Sequence, residues 1–264
     1  MGSGTNAAAR FLRNPRHKNG YWSKQCRCFV INGRRFEGVK KPLERLFFNN
    51  YSMKLAWQKR SRGQDSKIKA ASRVRGTTRG TMLHKQVQAW ANAQIGKAKP
   101  RKAKMHPLAE QVVQVIQKMK VIVVGVEVLI YDERLGIATR IDLLVVHEES
   151  GLFMSIELKF GFDGFATIPT GTTRKLSPPL EDWPNNEIMH WQLQSLMNGI
   201  LLAKHYQVRM APIGPLIIWS HSRGVEVLTL KDRTLEKAAV IYRTLENRKR
   251  KRATNIKVVE KKKK

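Results

Sequence analysis

Asp142 and Glu157 are separated by 14 residues, and Lys159 follows two positions after Glu157. Carboxylates on neighbouring strands repel unless a cation lies between them, and hard oxygen ligands suit Mg²⁺ or Mn²⁺. An ammonium beside such an ion positions a water or offsets charge developing on a phosphate. The spacing brings the three groups together only if the intervening chain is a hairpin. Residues 137–147 and 152–160 are apolar, β-branched runs, and Glu148-Glu149-Ser150-Gly151 between them reads as a turn. With that turn centred between Glu149 and Ser150, Asp142 falls opposite Glu157, at a Cβ separation of about 4.5–5.5 Å. Lys159 shares Glu157's face because side chains alternate along a strand. Ile141, Leu143 and Val145 against Ile156, Leu158 and Phe160 form the apolar opposite face. A first hairpin, 121–131 with 137–147, centred between Glu133 and Arg134, sets Glu127 opposite Arg140 and diagonal to Asp142. The competing reading of these residues is a solvated polar face closed by a Glu127–Arg140 ion pair.

The elements that must position this constellation follow from periodicity. Residues 80–95 read as a helix with Leu83, Val87, Trp90 and Ala91 as its apolar stripe. Residues 107–119 read as a second, with Pro107 in the first turn. The three-stranded antiparallel meander comes next, then a long loop over 161–187. A helix over 188–206, strands over 213–220 and 224–230, and a helix over 231–247 complete the order. The expected fold class is α/β, a mixed sheet with an antiparallel βββ meander flanked by helices.

Charge divides the 264 residues differently. Lys and Arg total 50 against 20 Asp and Glu, a net of +30. Residues 1–105 carry a net of +23, residues 106–242 a net of −2, and residues 243–264 a net of +9. Such blocks attract polyanions. Residues 1–75 therefore read as a basic, partly ordered nucleic-acid-binding arm, residues 76–242 as the core, and residues 243–264 as a basic disordered tail. The arm interleaves rings with its cations, among them Phe11, Tyr21, Trp22, Phe29, Phe36, Phe47, Phe48, Tyr51 and Trp57, which suits base stacking as well as packing. Arg248 to Arg252 also matches a nuclear address. Cys26 and Cys28 are too few for a disulfide framework or an iron–sulfur cluster, and with His17 too oddly spaced for zinc. No apolar run is long enough to span a bilayer, and no secretory pattern opens the chain, so a soluble, intracellular protein is expected.

Asp142, the spacer, and Glu157-Leu158-Lys159 resemble the PD-(D/E)xK nuclease signature, with Ile141 where that signature has proline. Gly80-Thr81-Met82-Leu83-His84 resembles the GTxxH helix start of its RecB-like branch. Gly136 to Asp142 resembles that branch's glycine-then-RID strand, and Gln192-Leu193-Gln194 its QLQ motif. The stretch from Pro178 to Tyr206 is similar to RecB-like exonucleases of large DNA viruses. The motifs stand in family order over residues 76–230. The resemblance implies a restriction-endonuclease-like core in which His84, Asp142, Glu157 and the Leu158 carbonyl hold Mg²⁺ or Mn²⁺. It makes Lys159 catalytic, Gln192 an orienting residue and Glu127 a helper. Leu196 stands where many relatives have tyrosine, and the cysteine clusters of the iron–sulfur members are absent.

The leading expectation is a metal-dependent DNA nuclease. An exonuclease of replication, recombination or end processing, with little sequence preference for single or double strands, fits best. The alternatives are an endonuclease, structure-specific on DNA or cap-snatching-like on RNA, and a non-catalytic nucleic-acid-packaging protein. No membrane partner is expected.

Overall fold

The computed structural model describes residues 3–12, 20–48, 66–97, 104–160, 175–211, 216–221, 224–229, 237 and 239–249. Tyr51, Trp57, His17, the 161–174 part of the long loop and the basic run from 250 onward lie outside them. The chain is a mixed α/β fold with one eight-stranded, mostly antiparallel sheet flanked by helices. Its elements are α1 (Ser3–Leu12), β1 (Gly20–Ser23), β2 (Cys28–Ile31), β3 (Arg34–Gly38), α2 (Lys40–Phe47), α3 (Ser66–Gln94), α4 (Pro107–Lys118), β4 (Val121–Asp132), β5 (Ile137–His147), β6 (Phe153–Phe160), α5 (Glu187–Tyr206), β7 (Leu216–His221) and β8 (Gly224–Leu228). Residues 239–249 add a last helical segment.

The central meander forms where β-branched residues dominate, as expected. β5 pairs with β6 through Leu143↔Ile156, Leu144↔Ser155, Val145↔Met154 and Val146↔Phe153, the register read from the Glu149-Ser150 turn. The first hairpin is shifted. Its pairs include Leu129↔Arg140, Val128↔Ile141 and Asp132↔Ile137, so Glu127 does not oppose Arg140. The reason lies in the turn. Asp132 stays in the strand, its Oδ1 accepts from the Leu135 N–H at 2.9 Å, and Gly136 closes the loop at φ +67°. The loop therefore spans 133–136, one residue later than the sequence reading centred it.

β4 is irregular beside the candidate site. Its register shifts between Val123 and Gly125, and Glu127 adopts φ +52°. At Gly125 a Cβ would come within 2.4 Å of Val128 Cγ2, so only glycine fits the bulged strand.

Helices cover both faces of the sheet. Leu83, Val87 and Ala91 of α3 and Val112 and Ile116 of α4 pack on Leu143, Val145, Ile156 and Leu158. On the other side Phe11 of α1, Leu43 and Phe47 of α2, and Leu193, Leu196 and Met197 of α5 pack on Leu144, Val146 and Phe153. The solvated-face reading therefore fails, because Glu157 is only 4% exposed. Ile141 also departs from expectation: it packs with Leu144 and Val146 rather than with Leu143 and Val145.

The described part of the basic arm is largely regular structure. β1, β2 and β3 form a meander in which Trp22↔Phe29 and Phe29↔Phe36 are cross-strand pairs, and Cys26 and Cys28 are disulfide-bonded to each other at its first turn. β3 then joins β5 in parallel, Glu37↔Ile137 and Gly38↔Ala138. The boundary drawn at residue 75 falls inside α3, which starts at Ser66, so Gly80-Thr81 lies within a helix and not at its start. The tail boundary at 243 likewise cuts the last helical segment, whose Ile241, Tyr242 and Leu245 are buried in the core.

β5 thus has three partners. β4 takes one edge along its whole length, so β3 and β6 share the other. β3 covers residues 137–138 and β6 covers 143–146, which leaves the edge from 139 to 142 as a split in the sheet.

Candidate active site

Asp142 lies at that split. The β5–β6 ladder ends at Leu143↔Ile156, and the next interaction is made by a side chain: the Leu158 N–H donates to Asp142 Oδ2 at 2.7 Å. The carboxylate is thereby fixed to the backbone of the strand carrying Glu157 and Lys159. Its other oxygen, Oδ1, stands 3.3 Å from His84 Nε2 on α3. Glu127 completes the group, and ligand atoms of His84, Glu127 and Asp142 all lie within 4.8 Å of one another. These three could hold a metal ion.

The trio is oriented by a neighbour one helical turn away. Gln88 Nε2 lies 3.3 Å from His84 Nδ1 and donates to Glu127 Oε1, so one amide ties the imidazole of α3 to the carboxylate of β4. Outer-shell bonds of this kind set the ring orientation of a ligating histidine. Arg140 reaches Glu127 only at 3.9 Å, a diagonal contact that follows from the shifted register.

Glu157 and Lys159 form the second half of the site. Lys159 Nζ donates to Glu157 Oε1 at 2.5 Å, and Gln194 Nε2 of α5 donates to the same oxygen at 3.0 Å. Glu157 Oε2 is buried and has no hydrogen-bond partner among the described residues, and the same holds for His84 Nε2, which is close to Asp142 but poorly aligned with it. Two buried orphan ligand atoms, one oxygen and one imidazole nitrogen, match the donors a hard divalent cation takes.

The electrostatics agree with that fit. Burial, followed by the charge of Asp142, pushes Glu157 up to about 7 against the pull of Lys159. Burial and Asp142 likewise raise Glu127. For Lys159 burial is the largest influence and opposes the charge, but Glu157 and Asp142 together outweigh it and hold the ammonium above its usual range. His84 behaves similarly, with Asp142, Glu127 and Glu157 overcoming its desolvation. Glu127 and Glu157, crowded beside Asp142, favour protonation unless a cation replaces the proton.

His84, Glu127, Asp142, Glu157, Leu158 and Lys159 are therefore brought together. Gln192 is buried on α5, but residues two apart on a helix do not share a direction, and it is Gln194 that faces Glu157. Sequence reasoning missed Gln88 and placed on Gln192 the role that Gln194 fills. The four-residue step from His84 to Gln88 was an available signal. For Gln194 the Gln192-Leu193-Gln194 motif marked the segment, but α5 is buried nearly all round and shows no polar stripe to tell which of the two glutamines faces the site.

No family model and no curated protein matches the chain. Among solved structures it is similar to SSO0001, at 14% identity and a TM-score of 0.25, over 49% of this chain and 56% of that one. It is also similar to a candidate exonuclease from Eubacterium rectale, at 11% identity and a TM-score of 0.31, over 62% of this chain and 64% of that one. The chain thus spans less than two thirds of either, and at such scores neither likeness carries an argument. Among the described residues no helix is long and apolar enough to cross a membrane.

Proposed function

We propose that the protein is a metal-dependent DNA nuclease of the PD-(D/E)xK type, acting as an exonuclease. The observation that carries this reading is the junction of Asp142 with β6. One carboxylate bonds the Leu158 N–H and also faces His84, which joins a potential metal site to the Glu157–Lys159 pair.

His84, Asp142 and Glu127 would hold the ion, with Glu157 Oε2 as the further oxygen. A divalent cation there would polarise a phosphodiester and supply a water activated for hydrolysis. The chain's own groups do the rest. Lys159, kept charged by Glu157 and Asp142, offsets negative charge growing on the phosphate. Gln194 holds Glu157 in place, and Gln88 holds His84 and Glu127. The net of +23 over residues 1–105 supports nucleic acid as the polyanion. Replication, recombination or end processing, and a RecB-like descent, belong to this reading.

The test is an assay of purified protein with Mg²⁺, Mn²⁺ or EDTA on end-labelled linear DNA, circular DNA and RNA. Metal-dependent release of nucleotides from linear DNA, with circles spared, is expected. Equal cutting of circles would make it an endonuclease, and no metal-dependent cleavage of any substrate would overturn the reading.

A further inference from the structure

Lys40 enters the sheet split from the arm. β3 runs parallel to β5, with Gly38 beside Ala138, and the Val39 N–H donates to Ala138 O at 3.0 Å. β6 pairs with the same edge of β5 only from Leu143 onward. The chain leaving β3 therefore faces the open edge at residues 139–142, and Lys40, the first residue of α2, is the next residue along it.

Three features make a cation costly at that place. Lys40 is half-buried. It occupies the first turn of a helix, where the macrodipole is positive and no acidic residue offsets it. It is also near Lys159: burial first and that ammonium second lower its proton affinity, with Glu187, Glu44 and Glu157 opposing them. Two of those carboxylates are engaged elsewhere: Glu187 accepts from Trp191 Nε1 at 2.8 Å, and Glu157 is held by Lys159 and Gln194. Glu44, one helical turn along α2, eases the charge of Lys40 without an ion pair to it. No ion pair to Lys40 is present among the described residues. A partly desolvated cation with no ion pair among the described residues is stabilised by an incoming anion.

We propose that Lys40 is a phosphate-binding residue of the nuclease site, whose ammonium takes a backbone oxygen of DNA entering the split between β3 and β6. This rests on the nuclease reading for the identity of the anion. It gives the arm a positioning role at the site itself, beyond long-range attraction. A charged ammonium has donors only and no lone pair for a cation, so Lys40 acts on substrate and not on metal.

The experiment uses the full chain with Lys40→Met and Lys40→Arg. Binding of a labelled single-stranded DNA oligonucleotide in EDTA is measured across a salt series, and Mn²⁺ affinity is measured without DNA. Neutralising one phosphate fewer lowers the log–log salt slope by about 0.7 for a single strand. Lys40→Met is expected to show that decrease with unchanged Mn²⁺ affinity, while Lys40→Arg keeps the wild-type slope. In the Mn²⁺ cleavage assay the KM for DNA should rise in Lys40→Met and return in Lys40→Arg. An unchanged slope in Lys40→Met, or a reduced slope in Lys40→Arg at wild-type thermal stability, overturns the assignment. Because the slope is read without metal, it fails separately from the nuclease reading, which falls if the wild type never cleaves.

Discussion

The Leu158 N–H donates to Asp142 Oδ2 at 2.7 Å, so the Asp142 carboxylate closes the gap where the β5–β6 ladder stops. The same side chain serves the fold with one oxygen and faces His84 with the other. These two duties separate by substitution. Asp142→Asn keeps an acceptor for Leu158 and removes the charge, so the fold should persist while Mn²⁺ affinity and cleavage disappear. Asp142→Ala also strands the Leu158 N–H, at a cost of about 1–3 kcal/mol for an unsatisfied buried donor. Calorimetric Mn²⁺ titration and thermal melts of the pair check this. Equal Mn²⁺ affinity in wild type and Asp142→Asn would remove Asp142 from the metal site.

Glu157 predicts a pH effect. Its folded pKa is raised by burial to about 7, so the folded state holds more protons than the unfolded chain between roughly pH 4.5 and 7. The Glu157 contribution to stability is therefore greatest at low pH and falls as pH rises through that window. Glu157→Gln removes the titration. The metal-free variant should be more stable than wild type near pH 8, by on the order of 1–3 kcal/mol, and the gap should close toward pH 4. Denaturant midpoints of both proteins in EDTA across that range measure it. Glu127 and His190 titrate in both proteins and largely cancel in the difference, while His84 loses the smallest of the charges that raise it.

Where sequence reading succeeded and where it stopped has a physical pattern. The Asp142–Glu157 register was legible because two apolar strands flank a short turn, and a one-residue slip would turn Asp142 and Glu157 away from each other. The first hairpin was misread by one residue at its centre, since the Asp132 side chain and Gly136 stretch the turn in a way strand propensity does not record. Glu127 consequently stands nearer His84 and Asp142 than a helper opposite Arg140 would. The arm was read from its charge, which hides the short runs Cys28–Ile31 and Arg34–Gly38 that join it to the sheet. Long-range parallel pairing such as Gly38↔Ala138 has no local signal at all.

The basic tail is separable from the core only beyond its helical part. Truncation at 243 would remove Leu245, which is buried, and Glu246, which pairs with Arg134 at 2.9 Å. Removing residues 250–264 instead takes away a net of +7 and leaves that packing intact. DNA affinity should weaken, and the salt slope should become shallower by about 0.7–0.9 for each phosphate that is no longer neutralised. Single-turnover cleavage at saturating protein should change little. An unchanged salt slope would make the run an address and not a DNA-binding element.

Asp132 supplies the last prediction, a test of stability away from the site. It is fully buried on β4, with His205 Nε2 2.9 Å from its Oδ2, Tyr242 donating to the same oxygen and the Leu135 N–H donating to Oδ1. Burial alone would raise its pKa, but His205, Tyr242 and Leu135 outweigh that and hold it far below the usual carboxylate range. A depressed carboxylate contributes stability that is present above its unfolded pKa, near 4, and is lost as pH falls below it. Tyr242→Phe removes one donor and leaves a buried charge less satisfied, so stability at pH 7 should drop by about 1–3 kcal/mol. The drop should persist at pH 3, because the folded carboxyl, held far below its usual range, is still ionised there and the unfolded carboxyl is common to both proteins. Tyr242 joins the last helical segment to the β4–β5 turn, away from His84, Glu127 and Asp142, so Mn²⁺ affinity should be unchanged. Denaturation at pH 7 and pH 3, with a Mn²⁺ titration of the same variant, checks both halves. No drop at either pH would show that the hydroxyl adds nothing to holding the Asp132 charge.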